Sequence, residues 1–338
     1  MKRIATLDSI RGLALCGILT VNAPAVLGLG GEPGPNATRE LLGLAVQERF
    51  FPLFSFLFGI SFGIMVARAE RRGTPYRAAL GRRLGFLLAL GGLHQLLQPG
   101  EALLPYAIVG LVLLLPATWC PTWAAGLTAV ALTGAGVAFG GMALVPGLLL
   151  SGYAVARLGW ATRLDASRPW VPLAVAAAAG AAATPLLMRL ADAPHTMGFS
   201  KTSTVAGLLL ATTYAALVTA AMASPLRRAV SGVLEPFGRM ALTNYVSATL
   251  VLVAAKPFLG QLGVDGTSDG MLRMLGWCGV LLVVQWVVSR LWLARFGQGP
   301  LELVWRKVTW LQPRVFGRSF CLQPARSSED SRQPRACG

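Results

Sequence analysis

The sequence predicts an all-α integral membrane protein with about ten transmembrane helices and both termini in the cytoplasm. Hydrophobic residues make up 54% of its 338 residues and charged residues only 13%, about half the charged share of a soluble domain. No polar helix face is left to meet water, which argues against a soluble protein with buried helices. A helix needs about 20 mostly apolar residues to cross a bilayer. The stretches that meet or approach this length are 10–30, 43–67, 84–98, 102–119, 122–140, 142–158, 170–190, 203–223, 237–258 and 271–293.

Positive charge sets the predicted orientation, because Lys and Arg collect in cytoplasmic loops. With the amino terminus inside, 24 of the 30 Lys and Arg residues fall on the cytoplasmic side and five on the other. The net charge of +16 is thereby explained by topology and not by nucleic-acid binding, since the arginines stand at helix ends. We expect a polytopic domain over 1–312 and a disordered, basic tail over 313–338, near anionic lipid headgroups.

Several sequence motifs are absent, and their absence argues against particular classes of function. The chain has no Gly-Lys-Ser/Thr phosphate loop, no GxGxxG and no HExxH, and its five Cys residues form no CxxC pair. His94 and His195 do not make a metal site with nearby carboxylates. The sequence therefore predicts no metal site and no permanently bound cofactor, and it argues against an ATP-driven pump.

The first helix carries a polar stripe, and polar groups inside a bilayer require a partner or a function. Asp8 and Arg11 are three residues apart and share a face. Asn22 lies eleven residues beyond Arg11, almost in line with it and about 16 Å along the axis. The alternative is a topology signal followed by a structural Asn that bonds to a neighbouring helix.

The third helix repeats this arrangement. Arg82 and Arg83 stand at its inner end, and His94 lies eleven residues beyond Arg83, again about 16 Å away. A histidine can act as a general base near neutral pH, and Glu101 after the next turn could orient it. Equally, His94 could be a structural hydrogen-bonding residue and Glu101 a solvated loop carboxylate.

The ninth helix also begins inside, with Arg239, and places Asn244 and Tyr245 within the membrane. Three outward-running helices thus have Arg at their inner ends. This pattern predicts a cytoplasmic site for an anion, and the phosphates of an acyl-CoA are one such anion.

These segments resemble the YeiB family (domain of unknown function 418), which consists of bacterial membrane proteins of unknown function. The matching pieces stand in the family's order, cover residues 1 to about 312, and are 7–22, 53–59, 82–84, 93–94, 101–107, 238–245 and 296–306. The chain departs from the pattern at Glu101, where Asp is more usual, and between the fourth and sixth helices, where it is shorter. The resemblance implies a multi-pass protein of the bacterial inner membrane.

The family is in turn similar to transmembrane acyltransferases that acetylate lysosomal heparan sulfate or bacterial surface sugars. Those enzymes pass an acyl group from cytoplasmic acyl-CoA to an acceptor on the far side. The Leu7-Asp8-x-x-Arg11-Gly12 start is shared with the sugar acyltransferases, which have His where this chain has Asn22. The heparan-acetylating relatives have Asn there and take their His from elsewhere, which in this chain is the role left for His94.

The first functional hypothesis is therefore a membrane acyltransferase with acyl-CoA as co-substrate. Its candidate acyl-CoA site consists of Asp8, Arg11, Arg82, Arg83, Arg239 and Tyr245. Its candidate catalytic groups are a general base, the carboxylate that orients it, and two amide donors to the thioester oxygen: His94, Glu101, Asn22 and Asn244.

Two other functional hypotheses remain open. In a transporter or exporter the same polar stripe would carry protons or substrate, with His94 and Glu101 as proton carriers. No half-to-half repeat is evident, although transporters often have one. The third reading is a scaffold or immunity protein without turnover. The lipid bilayer is the one partner that the sequence predicts, and the acceptor and the oligomeric state are left open.

Overall fold

The structure, a computed structural model, describes residues 3–29, 36–166, 168–198 and 200–310, and the predicted tail 313–338 lies outside them. Every regular element within the described residues is a helix. The main helices, in chain order, are α1 (Ala5–Leu27), α2 (Ala37–Ala45), α3 (Phe50–Arg71), α4 (Arg77–His94), α5 (Leu103–Ala117), α6 (Thr122–Phe139), α7 (Leu144–Arg157), α8 (Trp170–Asp192), α9 (Lys201–Met222), α10 (Arg227–Arg239), α11 (Ala241–Ala255), α12 (Ser268–Phe296) and α13 (Pro300–Thr309).

The all-helical membrane class is confirmed. Six spans in the described part of the chain are long and apolar enough to cross a bilayer: α1, α2 with α3, α6, α8, α9 and α12. The bent pair α10–α11 would make a seventh, and α5 and α7 are shorter apolar helices. Large apolar side chains such as Leu127, Val130 and Val283 are more than 60% exposed, as lipid contact requires. The protein is thus a multi-pass helical membrane protein.

The predicted span 237–258 is not one straight helix. It contains the end of α10 and all of α11, and the two helices meet at an angle of 75°. Met240 lies between them with φ −115° and ψ 34°, outside the helical region. Backbone N–H groups at the start of a helix lack partners within that helix, and the carboxylate of Glu302 accepts those of Leu242 and Thr243. The break is therefore stabilised by a side chain 60 residues away from Leu242.

The predicted span 43–67 also divides. Helix α2 ends at Ala45, and a turn with Glu48 at φ +59° precedes α3. Pro52, for which the sequence suggested a kink, lies in the first turn of α3. A proline in the first helical turn leaves no hydrogen bond broken, because that N–H has no partner within the helix. The helix is therefore interrupted in the turn before α3 and not at Pro52, and α2 and α3 together still count as one span.

Glycines bring the helices that carry the cavity described below into close contact. A Cβ atom on Gly12 would lie 2.0 Å from the carbonyl oxygen of Leu234, and one on Gly238 would lie 1.8 Å from that of Asp8. The backbones of α1 and α10 therefore touch at both points. Small residues allow such approach in membrane helices, where packing takes the place of the hydrophobic effect. This contact fixes Arg11 relative to Arg239.

The largest buried cluster lies between α3, α4, α5 and α7. Its fully buried members include Val66, Leu84, Tyr106 and Leu149. Gly59 of α3 and Gly152 of α7 extend this packing, because a Cβ on either would fall within 2.1 Å of a backbone oxygen of the facing helix. This rigid block forms the wall of the cavity on the side of α3 to α5.

Candidate functional site: an arginine-lined cavity

A cavity of about 760 Å³ opens between α1, α3, α4, α5, α10, α11 and α13. Its two ends differ in chemistry. Apolar and aromatic side chains line the deep end, among them Ile18, Phe54, Phe58, Leu87 and Leu103. Seven arginines line the other end within the described residues: Arg3, Arg11, Arg68, Arg72, Arg83, Arg239 and Arg306. Such a cavity suits a molecule with an anionic head and a less polar arm.

Arg11 is held in place by two side chains. Its Nη1 donates to Oδ1 of Asp8 at 2.7 Å, and its Nη2 donates to Oγ of Ser61 at 2.8 Å. The buried Asp8 carboxylate also accepts from Nε of Arg3. Asp8 therefore does not line the cavity but orients two arginines that do. A guanidinium has five N–H donors, so Arg11 keeps donors for a ligand.

Arg83 is fixed by α13. Its guanidinium carbon lies 3.4 Å from the ring centroid of Trp305, and Nε1 of Trp305 donates to the Arg83 carbonyl at 2.8 Å. The neighbouring Arg82 points elsewhere, because its Nη2 donates to the carbonyl of Thr309 at 3.0 Å. Of this predicted pair, Arg83 lines the cavity and Arg82 attaches α13 to α4.

Arg239 lies at the break between α10 and α11. Its Nη2 donates to the carbonyl of Gly297 at 3.0 Å, and its Nη1 lies 3.6 Å from Oε1 of Glu235. The pairing with Glu235 is a long, partly exposed contact between residues four apart in one helix, and such pairs contribute little to stability. The geometry places Arg239 on the cavity wall next to Gly238.

Glu302 is the one carboxylate among the described residues that line the cavity. Its Oε1 accepts from the backbone N–H groups of Leu242 and Thr243, and its Oε2 accepts from Oγ1 of Thr243 at 2.6 Å. Both oxygens are thus engaged in capping α11. The arginine end of the cavity keeps a strong excess of positive charge, which favours an anionic ligand.

Three buried polar atoms of the lining residues have no hydrogen-bond partner: Nε of Arg68, Nε of Arg239 and Oε1 of Gln298. Buried polar groups in folded proteins are nearly always paired, because an unpaired group loses its interaction with water. These three atoms of the cavity residues therefore lack a protein partner in this structure.

His94 and Glu101 form a buried pair near the deep end. Nδ1 of His94 lies 3.3 Å from Oε2 of Glu101, and the two side chains are 1% and 0% exposed. Glu101 also accepts the backbone N–H groups of Leu103 and Leu104, so it caps α5. Nε2 of His94 is buried without a partner. The structure thus brings His94 and Glu101 together, and Nε2 of His94 has no hydrogen-bond partner.

Tyr245 separates this pair from the cavity. Its ring centroid lies 5.0 Å from that of His94, and the tyrosine itself lines the cavity. Its hydroxyl oxygen lies 3.5 Å from the backbone N–H of Ala102.

Asn22 and Asn244 lie on the far side of Tyr245. They line a separate pocket of about 10 Å³, together with Tyr245 and Gln285. Nδ2 of Asn244 donates to Oγ of Ser289 at 3.0 Å, and Gln285 donates to the Asn244 carbonyl at 2.8 Å. Asn244 therefore ties α11 to α12 in this state. The two predicted amide donors are near each other but not in the large cavity.

Sequence reasoning missed several groups that line the cavity. Arg68, Arg72 and Arg306 were counted as topology signals alone, although each faces the cavity. Glu302 and Trp305 stand in the 296–306 segment, whose family match was the available signal. No group of three or more His, Cys, Asp or Glu residues that could hold a metal ion occurs in the part of the chain that the structure describes.

Comparison with known proteins identifies the family. An uncharacterised 39.9 kDa protein from the amylase 3′ region of Bacillus acidopullulyticus is 31% identical over 334 residues, covering 91% of this chain and 94% of that protein. YxaH of Bacillus subtilis is 28% identical (92% and 95% covered), and YeiB of Escherichia coli is 27% identical (91% and 97% covered). No solved structure matches. The family model described as a protein of unknown function (DUF418) matches residues 155–312, and the chain belongs to this DUF418 family, which includes YeiB.

Proposed function

We propose that this protein is a membrane acyltransferase that takes its acyl group from cytoplasmic acyl-CoA. The observation that carries the proposal is the cavity, with seven arginines at one end and an apolar interior that ends at Tyr245, beside His94. The arginines would bind the phosphates of the co-substrate. The apolar part would hold its pantetheine arm and the acyl group.

The dimensions support this assignment. Arg83 and His94 belong to the same helix, eleven residues apart, which is about 16 Å along the axis. An extended pantetheine arm is long enough to bridge that separation. A phosphate bound at Arg83 would therefore place the thioester next to Tyr245. In the proposal, a shift of the Tyr245 ring then brings the thioester to His94, Asn22 and Asn244.

The proposed reaction is one direct transfer. Nε2 of His94 takes the proton from an acceptor hydroxyl or amine, whose oxygen or nitrogen attacks the thioester carbonyl carbon. Asn22 and Asn244 donate hydrogen bonds to the oxygen that becomes negative. The C–S bond then breaks, and the CoA thiolate takes the proton from His94. Glu101 orients His94 and stabilises its charged form while it holds the proton.

The proposal includes a topology of ten crossings in the bacterial inner membrane, with both termini in the cytoplasm. Each of the ten predicted stretches falls largely on a helix, and α4, α5 and α7 would be short crossings. The arginine end of the cavity supports the orientation, because Arg collects on the cytoplasmic side. Acyl-CoA would then enter from the side on which it is made.

Binding of acetyl-CoA to the purified, detergent-solubilised protein tests the proposal. Calorimetry would compare the wild type with Arg83→Ala, and with Arg71→Ala as a control at an arginine that does not line the cavity. We expect binding that Arg83→Ala weakens at least tenfold and that Arg71→Ala largely keeps. Absence of binding by acetyl-CoA and by longer acyl-CoAs, with all proteins folded, would overturn it.

A transporter is the second candidate, and the bent pair α10–α11 favours it. Discontinuous helices at a polar cavity are common in transporters, and this pair breaks by 75° at the cavity wall. A transporter would accumulate a substrate in sealed vesicles without acyl-CoA. The acyltransferase would instead release CoA thiol and fix radiolabel from acetyl-CoA on an acceptor in membrane preparations.

A further inference from the structure

The arginines of the cavity lie at two levels along the helices. The hydrogen bond from Arg11 to Ser61 places these two residues at the same depth. Arg68 and Arg72 follow Ser61 in α3 by seven and eleven residues, which is about 10 Å and 16 Å further along the axis. We call Arg11, Arg83 and Arg239 the inner set, and Arg68 and Arg72 the outer set, to which the exposed Arg306 is added because it lines the mouth. Arg3 pairs with Asp8 and belongs to neither set.

The inner set is built for one compact anion. Each of its members is held by protein contacts: Arg11 by Asp8 and Ser61, Arg83 by Trp305, and Arg239 by the Gly297 carbonyl. Fixed guanidinium groups lose little freedom when they bind a phosphate in bidentate fashion. The Nε atom of Arg239 has no protein partner, so a donor is free at this level.

The outer set can accommodate a second anion. Nε of Arg68 is buried without a partner, and Arg72 and Arg306 are exposed at the mouth. The one lining carboxylate in the described part of the chain, Glu302, is engaged with the first turn of α11. The backbone positions of Arg68 and Arg72 lie about 10 Å and 16 Å further along the axis than Ser61, so an anionic group further out than the inner set suits them better. An anion between these like charges would also reduce their repulsion.

We propose that the outer set recognises a second, separate phosphate of the same ligand, namely the 3′-phosphate on the ribose of coenzyme A. This inference rests on the proposed function and deepens it. The inner set holds the diphosphate, the arm runs inward from it, and the nucleoside lies outward with its 3′-phosphate at Arg68, Arg72 and Arg306. The outer set therefore determines specificity for coenzyme A over its dephosphorylated form.

Competition calorimetry on the full-length, detergent-solubilised protein tests this assignment. The probes are coenzyme A, dephospho-coenzyme A, which lacks only the 3′-phosphate, and phosphatidylglycerol added to the micelles. The variants are the double substitution Arg68→Gln with Arg72→Gln, and Arg71→Gln as control. Arg71 belongs to the same turn of α3 but is not among the residues that line the cavity. Thermal unfolding in detergent confirms that each variant is folded.

We expect the wild type and Arg71→Gln to bind coenzyme A at least about tenfold more tightly than dephospho-coenzyme A, since the 3′-phosphate adds charge-assisted hydrogen bonds that the dephosphorylated form cannot make. In the double variant the affinity for coenzyme A should fall to that for dephospho-coenzyme A, while the affinity for dephospho-coenzyme A stays unchanged. Equal affinities in the wild type would overturn the 3′-phosphate assignment and leave the proposed function standing. Binding of neither nucleotide would overturn both, and strong competition by phosphatidylglycerol without nucleotide binding would assign the cavity to a lipid headgroup.

Discussion

The guanidinium of Arg83 lies over the ring of Trp305, with its central carbon 3.4 Å from the ring centroid, and the indole N–H of Trp305 donates to the Arg83 carbonyl. One tryptophan thus holds both the side chain and the backbone of this arginine. The contact joins α13 to α4 across 222 residues of sequence. Helix α13 therefore completes the cavity and orients Arg83 of the inner set.

The first prediction concerns this contact. Trp305→Leu removes a cation–π interaction of about 0.5–2 kcal/mol and a hydrogen bond of about 1 kcal/mol. We expect acetyl-CoA affinity to fall about tenfold, because Arg83 then loses its fixed position. Calorimetry measures the change, with Trp277→Leu on the exposed face of α12 as control. Unchanged affinity in Trp305→Leu would show that Arg83 does not depend on this support.

The second prediction separates binding from chemistry. His94 and Glu101 do not line the arginine end of the cavity, so His94→Gln should leave acetyl-CoA affinity within about threefold of the wild type. Loss of a general base should slow acyl transfer by about 10²–10⁴-fold. Radiolabel transfer in membrane preparations measures the rate of acyl transfer, and calorimetry measures the affinity for acetyl-CoA. Full activity in His94→Gln would remove His94 from the mechanism.

The second prediction extends to Glu101, which should act through His94. Glu101→Gln keeps an oxygen for the backbone N–H of Leu103 or Leu104 but removes the charge beside Nδ1 of His94. We therefore expect a smaller loss of transfer than in His94→Gln, and a changed pH profile of the rate. A loss of folding alone would appear instead as a lower unfolding temperature with an unchanged profile.

The site could be predicted from the sequence where spacing along one helix decides the position. Arg11, Arg83 and Arg239 stand at the inner ends of apolar stretches, and all three meet in one cavity. Spacing along one helix does not predict which distant helix packs against the site and completes it. Glu302 and Trp305 lie in α13, and their partners Leu242 and Arg83 are known only once the helices are assembled.

Asn22 shows the limit of the helical argument. Eleven residues rotate the direction of a side chain by about 20° relative to Arg11, a drift small enough to predict one continuous stripe. In the structure that drift turns Asn22 toward Leu15 and Leu19, which line the small pocket with it. Tyr245 then divides this pocket from the large cavity. The barrier comes from α11, so nothing in α1 could have indicated it.

The third prediction concerns the break between α10 and α11. Glu302→Gln keeps the shape of the cap but loses its charge, and loss of a helix cap costs about 0.5–2 kcal/mol. We expect a lower unfolding temperature in detergent. We also expect a lower rate of acyl transfer, because α11 carries Tyr245. Glu40→Gln, a substitution in the first turn of α2 away from the cavity, serves as the comparison. A change as small as in Glu40→Gln would contradict the capping role.

The fourth prediction tests the orientation. In a variant without native cysteines, Thr74→Cys lies in the loop between α3 and α4, and Gln261→Cys lies in the loop after α11. The proposed topology puts the first inside and the second outside. A membrane-impermeant maleimide added to intact cells should label only Gln261→Cys, and both sites after lysis. Labelling of Thr74→Cys in intact cells would show that the topology is the reverse of the proposed one, and that the cavity does not open toward cytoplasmic acyl-CoA.

The last prediction addresses the glycine contact that sets the distance between α1 and α10. An alanine at position 238 would put its Cβ 1.8 Å from the Asp8 carbonyl oxygen, and backbone cannot yield as a side chain can. Overpacking of this kind costs about 1–3 kcal/mol, so Gly238→Ala should unfold at a lower temperature. Gly232→Ala in the same helix meets nothing within 4 Å and should be neutral or slightly stabilising, since Ala favours helix. Because Asp8 orients Arg11, Gly238→Ala should also weaken acetyl-CoA binding. Equal acetyl-CoA affinity in Gly238→Ala and Gly232→Ala would show that α1 and α10 can separate without moving the site.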